Sequence, residues 1–98
     1  MNFFCKLLPP RSTFLQDMTP EEGAVMQEHA AYWKEWLARG HVIAFGVVAD
    51  PAGPFGMGLV EFESESAARA FTDGDPTIRS GLGFHIEVLP MPFGVVKE

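Results

Sequence analysis

The stretch EHAAYWKEWLARGHVIAFGVVAD (residues 28–50) changes from a helical to a strand pattern at a single glycine, and this change decides the fold. Before Gly40, apolar side chains recur every three or four residues, which predicts an amphipathic helix that ends near Arg39. These side chains are Val25, Met26, Ala30, Trp33, Trp36 and Leu37. After Gly40, the β-branched run 41–50 predicts a strand. The chain is therefore expected to combine helices with a sheet.

The same helix has a well-marked start. Thr19 can act as the N-cap, and Glu22 can bond back to it, which makes a capping box. Pro20 suits the first helical position because it has no N–H to leave unpaired. The predicted helix therefore runs from Pro20 to about Arg39.

Outside this stretch, the chain shows three more strand patterns and one more helical pattern. The strands are predicted over residues 2–8, 57–63 and 83–90. The second helix is predicted over ESAARAFTD (65–73), with Ser64 as its cap and Gly74 as its end. Its inner face is expected to carry Ala67, Ala70 and Phe71. Residues 91–98 form a tail with weak signals.

The order of these elements is β-α-β-β-α-β. It predicts an α+β, ferredoxin-like fold with an antiparallel sheet and both helices on one face. The glycine-rich GPFGMG (53–58) is expected to be a hairpin loop, because a phosphate-binding loop would lead into a helix. A chain of 98 residues is long enough for one domain, so residues 1–98 are expected to form a single domain.

The composition limits the classes of function. The net charge of −6 argues against binding to nucleic acid or an anionic membrane, because both need clustered basic residues. No apolar run approaches the roughly 20 residues that span a bilayer. The start of the chain, MNFFCKLLPPR, lacks the long apolar core of a signal sequence, and the single cysteine excludes an internal disulfide. We therefore expect a cytoplasmic protein.

The strands are more apolar than a sheet with one solvated face requires. Two helices cover only one face, and a solvated second face would alternate polar and apolar side chains. Residues 3–5, 42–45 and 47–49 are instead consecutive apolar runs. In water, such a face would expose a larger apolar patch than a typical monomer tolerates. A second copy of the chain is expected to cover it, which predicts a homodimer.

His29 and Asp75 are the residues best suited to carry chemistry. His29 lies on the inner face of the first helix, and Asp75 lies just past the second helix, which packs beside the first. A carboxylate bonded to one imidazole nitrogen fixes its tautomer and supports general acid–base catalysis. The alternative is a structural pair, in which the acid only satisfies a buried histidine.

Other candidate groups favour structural interpretations. Cys5 lies in a strand that should be buried, which indicates an inert thiol. His29, His41 and His85 show no metal-ligand spacing, so no metal site is expected. Trp33, at helical spacing with Trp36, is most simply a core aromatic residue.

Several motifs follow one another over nearly the whole chain. They are His29 with Trp33, Gly40 before a strand, FESESAARAF (62–71), DGDP (73–76), Gly81 and Pro90. Together they resemble the YCII-related family of small dimeric α/β-barrel proteins. The resemblance implies an active site made by His29 and Asp75. Some relatives act as lyases on hydroxylated aromatic rings, so the resemblance implies a small substrate, with an aromatic ring as one option.

Two segments depart from the family pattern, namely PPRSTFLQDM (9–18) and FGVVADPAGP (45–54). Both are expected to rim the cleft, so the identity of the substrate does not follow from the resemblance.

Two functions from different classes are consistent with these residues. The first is a small cofactor-independent enzyme of the lyase or isomerase type, in which His29 moves a proton and Asp75 orients the imidazole. Arg79 near the mouth of the cleft, and Trp33, are the predicted substrate-binding residues, although Arg79 can equally be a solvated side chain. The second is a non-catalytic module that binds a small metabolite in the same cleft. A pH-dependent turnover distinguishes the enzyme from the binding module.

Overall fold

A computed structural model of the chain describes residues 1–95. The predicted tail, 91–98, is therefore described only as far as Val95. The elements in chain order are β1 (Asn2–Leu8), α1 (Phe14–Asp17), α2 (Pro20–Ala38), β2 (Val42–Val48), β3 (Phe55–Glu61), α3 (Glu65–Asp73), α4 (Pro76–Arg79) and β4 (His85–Met91). The strands form one antiparallel sheet in the order β2-β3-β1-β4. The predicted α+β, ferredoxin-like arrangement is confirmed.

Helix α2 starts at the predicted capping box. The Thr19 hydroxyl accepts from the Glu22 N–H at 3.1 Å, and the Glu22 carboxylate accepts from the Thr19 N–H at 2.9 Å. Arg11 donates two further hydrogen bonds to Glu22, both at 2.8 Å. The bonds from Arg11 and then Thr19 lower the pKa of Glu22 to about 2. The start of α2 is thereby tied to the loop that precedes it.

The sheet buries alternate residues of β1 against the helices. Phe3, Cys5 and Leu7 are buried, and their neighbours in the strand are only half-buried. Phe4 lies on the opposite face, where it is paired with Leu59 on β3 and Leu89 on β4. The apolar run 3–5 therefore supplies side chains to both faces of the sheet. The homodimer inferred from this pattern stays a prediction.

An aromatic cluster forms the core between the sheet and the helices. The Trp33 ring is buried and packs edge-on against Phe71 with 4.8 Å between ring centroids. Trp36 is half-buried and packs against the same Phe71 at 5.2 Å. The expected inward position of Leu37 is wrong, because its side chain is 44% exposed. Trp36, one residue earlier, already fills the contact with Phe71.

The start of β3 differs from the sequence prediction. β3 begins at Phe55, so most of the predicted loop 53–58 is strand rather than loop. Its glycines pair with β1 in register, Gly58 with Cys5 and Gly56 with Leu7. Glycine is typical of turns, so the sequence pattern predicted a loop here. In the structure these glycines are strand residues whose missing side chains leave space for packing.

Smaller corrections concern the helices. α1 and α4 are single turns inside segments that were expected to be irregular. The inner face of α3 carries Ala68, Phe71 and Thr72, whereas Ala70 is exposed. None of the helices in residues 1–95 combines the length and the apolar composition that crossing a membrane requires.

Candidate functional site

His29 and Asp75 lie in direct contact. His29 is in the middle of α2, and its Nδ1 atom lies 2.8 Å from Oδ2 and 3.0 Å from Oδ1 of Asp75. The imidazole side chain is 12% exposed and the carboxylate is fully buried. The contact expected from the topology is therefore present, whereas a catalytic role for the two residues stays a prediction.

The Asp75 carboxylate accepts hydrogen bonds from residues other than His29. It is the N-cap of α4, where its Oδ1 accepts from both the N–H and the hydroxyl of Thr77, each at 2.9 Å. Its Oδ2 accepts from the indole Nε1–H of Trp33 at 2.6 Å. These donors come from two different elements, so the orientation of the carboxylate is fixed by the fold.

The hydrogen bonds keep Asp75 ionised in spite of its burial. Burial by itself would raise the pKa of the carboxyl, because it disfavours the charged form. Hydrogen bonds from His29, Trp33 and Thr77, with the charge attraction of His29, outweigh burial, and the pKa of Asp75 is lowered. An ionised carboxylate only accepts hydrogen bonds, so Nδ1 of His29 must carry the proton.

The other ring nitrogen of His29, Nε2, is then the one with a free lone pair. In the neutral imidazole, protonation of Nδ1 leaves the lone pair on Nε2. Among residues 1–95, the His29 ring is hydrogen-bonded only through Nδ1. Nε2 can therefore accept a proton from a ligand, and the buried carboxylate stabilises the imidazolium that forms.

His29 lines an apolar cavity of about 190 Å³ between α2 and the inner face of the sheet. Its walls are mostly aliphatic and aromatic, and they include Leu7, Phe14, Met26, Phe45, Phe84 and Ile86. Among the lining residues that the structure describes, only His29 and Cys5 can titrate. Burial, and then the charge of Asp75, raises the pKa of the Cys5 thiol to about 12, so it stays protonated at neutral pH. The expectation of an inert thiol agrees with this pKa.

Gly58 makes room for the residue that holds Asp75. A Cβ atom at Gly58 would lie 2.3 Å from the Trp33 ring, which no packed structure tolerates. The absence of a side chain at Gly58 therefore allows the indole to pack directly against β3. Sequence analysis missed this contact, and its only signal was a glycine inside a strand pattern.

The other two predicted binding residues have different positions. Trp33 lines the cavity with His29, and it is also buried in the core. Arg79 does not line this cavity. It lies at an exposed groove beside Glu21 and Glu28. Substrate binding by Arg79 stays a prediction, and the structure does not bring this residue together with His29.

The described part of the chain holds no evident metal centre. Within residues 1–95, no group of three or more His, Cys, Asp or Glu side chains is arranged to hold a metal ion. His41 donates from Nδ1 to the Glu61 carbonyl at 3.0 Å, and His85 is exposed on β4. The three histidines thus lie in separate environments.

The fold and the site define a small ferredoxin-like α+β protein with an imidazole–carboxylate pair at an apolar cavity. The family model described as "YCII-related domain" matches residues 3–92. The chain belongs to the YCII-related domain family, and the family predicted from the sequence motifs is confirmed.

A solved structure gives a second comparison. The chain is similar to 5-chloro-2-hydroxyhydroquinone dehydrochlorinase (TftG) from Burkholderia phenoliruptrix AC1100, in its complex with 2,5-dihydroxybenzoquinone. The two share 20% sequence identity and a TM-score of 0.64, over 94% of this chain and 95% of that chain. At this identity, the likeness shows that the fold is shared. No curated protein matches the sequence.

Proposed function

We propose that this chain is a cofactor-independent enzyme of the lyase or isomerase type that acts on a small aromatic metabolite. One observation carries the proposal: His29 is bonded through Nδ1 to a buried, ionised carboxylate, and it lines an apolar cavity. A histidine needed only for structure could be replaced by an apolar side chain at lower cost, because burying polar groups costs free energy. The similar solved structure is a dehydrochlorinase in complex with a small hydroxylated quinone.

In the proposed mechanism, His29 Nε2 takes a proton from a hydroxyl or an acidic carbon of the bound substrate. The electron pair left behind forms a new double bond. In a lyase reaction this pair expels a leaving group, and in an isomerase reaction His29 returns the proton to a different atom. Asp75 does not take the proton; it orients the ring and offsets the positive charge that His29 acquires.

The proposed enzyme is a homodimer. The sheet face opposite the helices carries Phe4, Leu59 and Leu89, and Leu89 is 52% exposed in the single chain. A second sheet packed on this face would bury all three. Contact between two such faces is the arrangement that the apolar strand runs favour.

A turnover screen tests the proposed reaction. The parent protein is incubated with a panel of hydroxylated and halogenated aromatic compounds, and products are detected by mass spectrometry. His29→Gln should lower kcat by at least about 100-fold, the usual contribution of a general acid–base group. His85→Gln is the matched control, because His85 is exposed and does not line the cavity.

The outcomes of the screen separate the two classes of function. Turnover that His29→Gln abolishes and His85→Gln retains supports the enzyme. Turnover that survives in His29→Gln would contradict the mechanism. Compounds that bind but are never converted would instead support the non-catalytic binding module.

A further inference from the structure

The size of the cavity suits a ligand with a single ring. A cavity of about 150 Å³ lined by Leu, Ile and Phe admits one benzene molecule. The cavity beside His29 has a volume of about 190 Å³, which leaves room for a few small substituents on a single six-membered ring.

The lining of the cavity favours an aromatic ligand. Gly56 and Gly58 occupy the inward positions of β3 beside the cavity, and the space that a side chain would take there is filled by Leu7 and Trp33. The rings of Trp33, Phe45 and Phe84 form part of the remaining wall. Aromatic rings pack well against such surfaces, in stacked or edge-on arrangements.

The charges around the cavity disfavour an anion. Among residues 1–95, the lining contains no Lys, Arg, Asp or Glu. The nearest charge behind His29 is the Asp75 carboxylate, which repels a second negative charge. Met91, the last residue of β4, pairs with Asn2, at the end of β1 far from Leu7 and the cavity. β4 therefore ends on the side of the sheet away from the cavity.

Arg11 and Lys6 are close to lining residues in the chain, and both are engaged elsewhere. Arg11 precedes α1, which lines the cavity, but its guanidinium binds Asp17 at 2.7 Å and Glu22 at 2.8 Å. Lys6 points to the opposite face of the sheet, where its ammonium lies 4.6 Å from the centre of the Phe55 ring. An anionic ligand would therefore lose its hydration without gaining a counter-charge from the lining.

We propose that the cavity selects an uncharged, single-ring hydroxylated aromatic compound and rejects the same ring when it carries a carboxylate. This inference rests on the proposed function, because it assigns the cavity beside His29 as the substrate site. A ring hydroxyl donates its hydrogen bond to His29 Nε2, the polar group that the lining offers. Within residues 1–95 the lining holds no Lys or Arg, and His29 is already paired with the Asp75 carboxylate, which sets the charge selectivity.

A matched pair of probes tests the inference. Hydroquinone and 2,5-dihydroxybenzoate differ by one carboxylate, and their binding to the parent protein is followed without oxygen by NMR of the Trp33 indole N–H. We expect 2,5-dihydroxybenzoate to bind at least about tenfold more weakly, because an unpaired charge is costly to bury. Equal or tighter binding of 2,5-dihydroxybenzoate overturns the inference, as does the failure of both probes to bind.

A charge introduced at the rim gives a second test. Leu15 in α1 lines the cavity and is 51% exposed, so Leu15→Arg places a guanidinium at the mouth without disturbing the core. This variant should raise the affinity for 2,5-dihydroxybenzoate relative to that for hydroquinone, and the ratio of the two dissociation constants is the quantity compared. Leu37→Arg is the control, because it adds the same charge on an exposed leucine away from the cavity. A gain in Leu37→Arg equal to that in Leu15→Arg would contradict a local effect.

The binding tests are independent of turnover. Selective binding of hydroquinone with no conversion of any tested compound would uphold the inference and remove the proposed reaction. Turnover that needs His29, together with preference for the carboxylated ring, would uphold the reaction and overturn the inference.

Discussion

Asp75 concentrates five hydrogen-bond contacts on one buried carboxylate, and this residue decides what His29 can do. Two contacts come from Thr77, one from Trp33 and two from the His29 ring. Fixed partners of this kind hold a side chain in one geometry without a ligand. The ionised Asp75 carboxylate cannot donate a hydrogen bond. His29 must therefore be the donor, which fixes the Nδ1–H tautomer of the neutral ring.

The lowered pKa of Asp75 makes the stability of the protein depend on pH. A carboxyl with a lower pKa in the folded than in the unfolded state stabilises the fold above its unfolded pKa, about 3.9. This contribution is lost as the pH falls through the folded value. We expect the free energy of unfolding to fall below about pH 4, with a smaller fall in Asp75→Asn, which has no charge to lose. Denaturant unfolding at a series of pH values measures both proteins.

The outcome that counts is the difference between the two proteins, because the other carboxylates titrate in both. A parallel loss of stability in the parent and in Asp75→Asn would contradict the lowered pKa.

At the scale of elements, β3 positions the site because Gly58 has no side chain, which leaves space for the Trp33 ring. Gly58→Ala places a Cβ atom 2.3 Å from the Trp33 ring, so the ring must move away from the strand. We expect a loss of about 1–3 kcal/mol in the free energy of unfolding, as for other overpacked cores. The displaced indole should also lose its hydrogen bond to Asp75, which an NMR shift of the Trp33 indole N–H reports.

Gly46→Ala is the control for this prediction. It makes the same change in the neighbouring strand β2, where a Cβ atom would meet nothing within 4 Å. Its unfolding free energy should stay close to that of the parent. Equal effects of the two substitutions would show that strand propensity, and not the contact with Trp33, decides the stability.

The elements differ in how far the sequence predicts them. The capping box at Thr19 and Glu22 is local, so the start of α2 followed directly from residue types. Asp75 could be placed near His29 because the chain order brings the end of α3 beside α2. The start of β3 could not be predicted, because glycines such as Gly56 and Gly58 favour a turn when only their local sequence is considered. Their use depends on Leu7 and Trp33, which are distant in sequence.

The predicted position of Arg79 shows a second limit. Its closeness to Asp75 in sequence suggested the mouth of the same cleft. The single turn of α4 separates the two residues, so that Arg79 lies at a different groove, beside Glu21 and Glu28. A short helix of four residues carries too little periodicity to reveal this turn in advance.

At the scale of the whole molecule, the open sheet face predicts the oligomeric state. Sedimentation at micromolar concentration should give twice the chain mass of 10.8 kDa. Leu89→Glu should shift the protein toward the monomer, because it would bury an unpaired charge between the two sheets. Leu37→Glu is the control, since this leucine is exposed on α2. A parent protein that sediments at 10.8 kDa would rule out the dimer.

The proposed function places a ligand beside His29, and ¹⁵N NMR of the imidazole tests this directly. In the parent at a pH where the ring is neutral, Nδ1 should carry the proton and Nε2 should be unprotonated. Hydroquinone should shift the Nε2 resonance, and Asp75→Asn should remove the preference for the Nδ1–H tautomer. A neutral ring protonated on Nε2 in the parent, or an Nε2 resonance that no ligand moves, would contradict the assignment of His29 as the acid–base group.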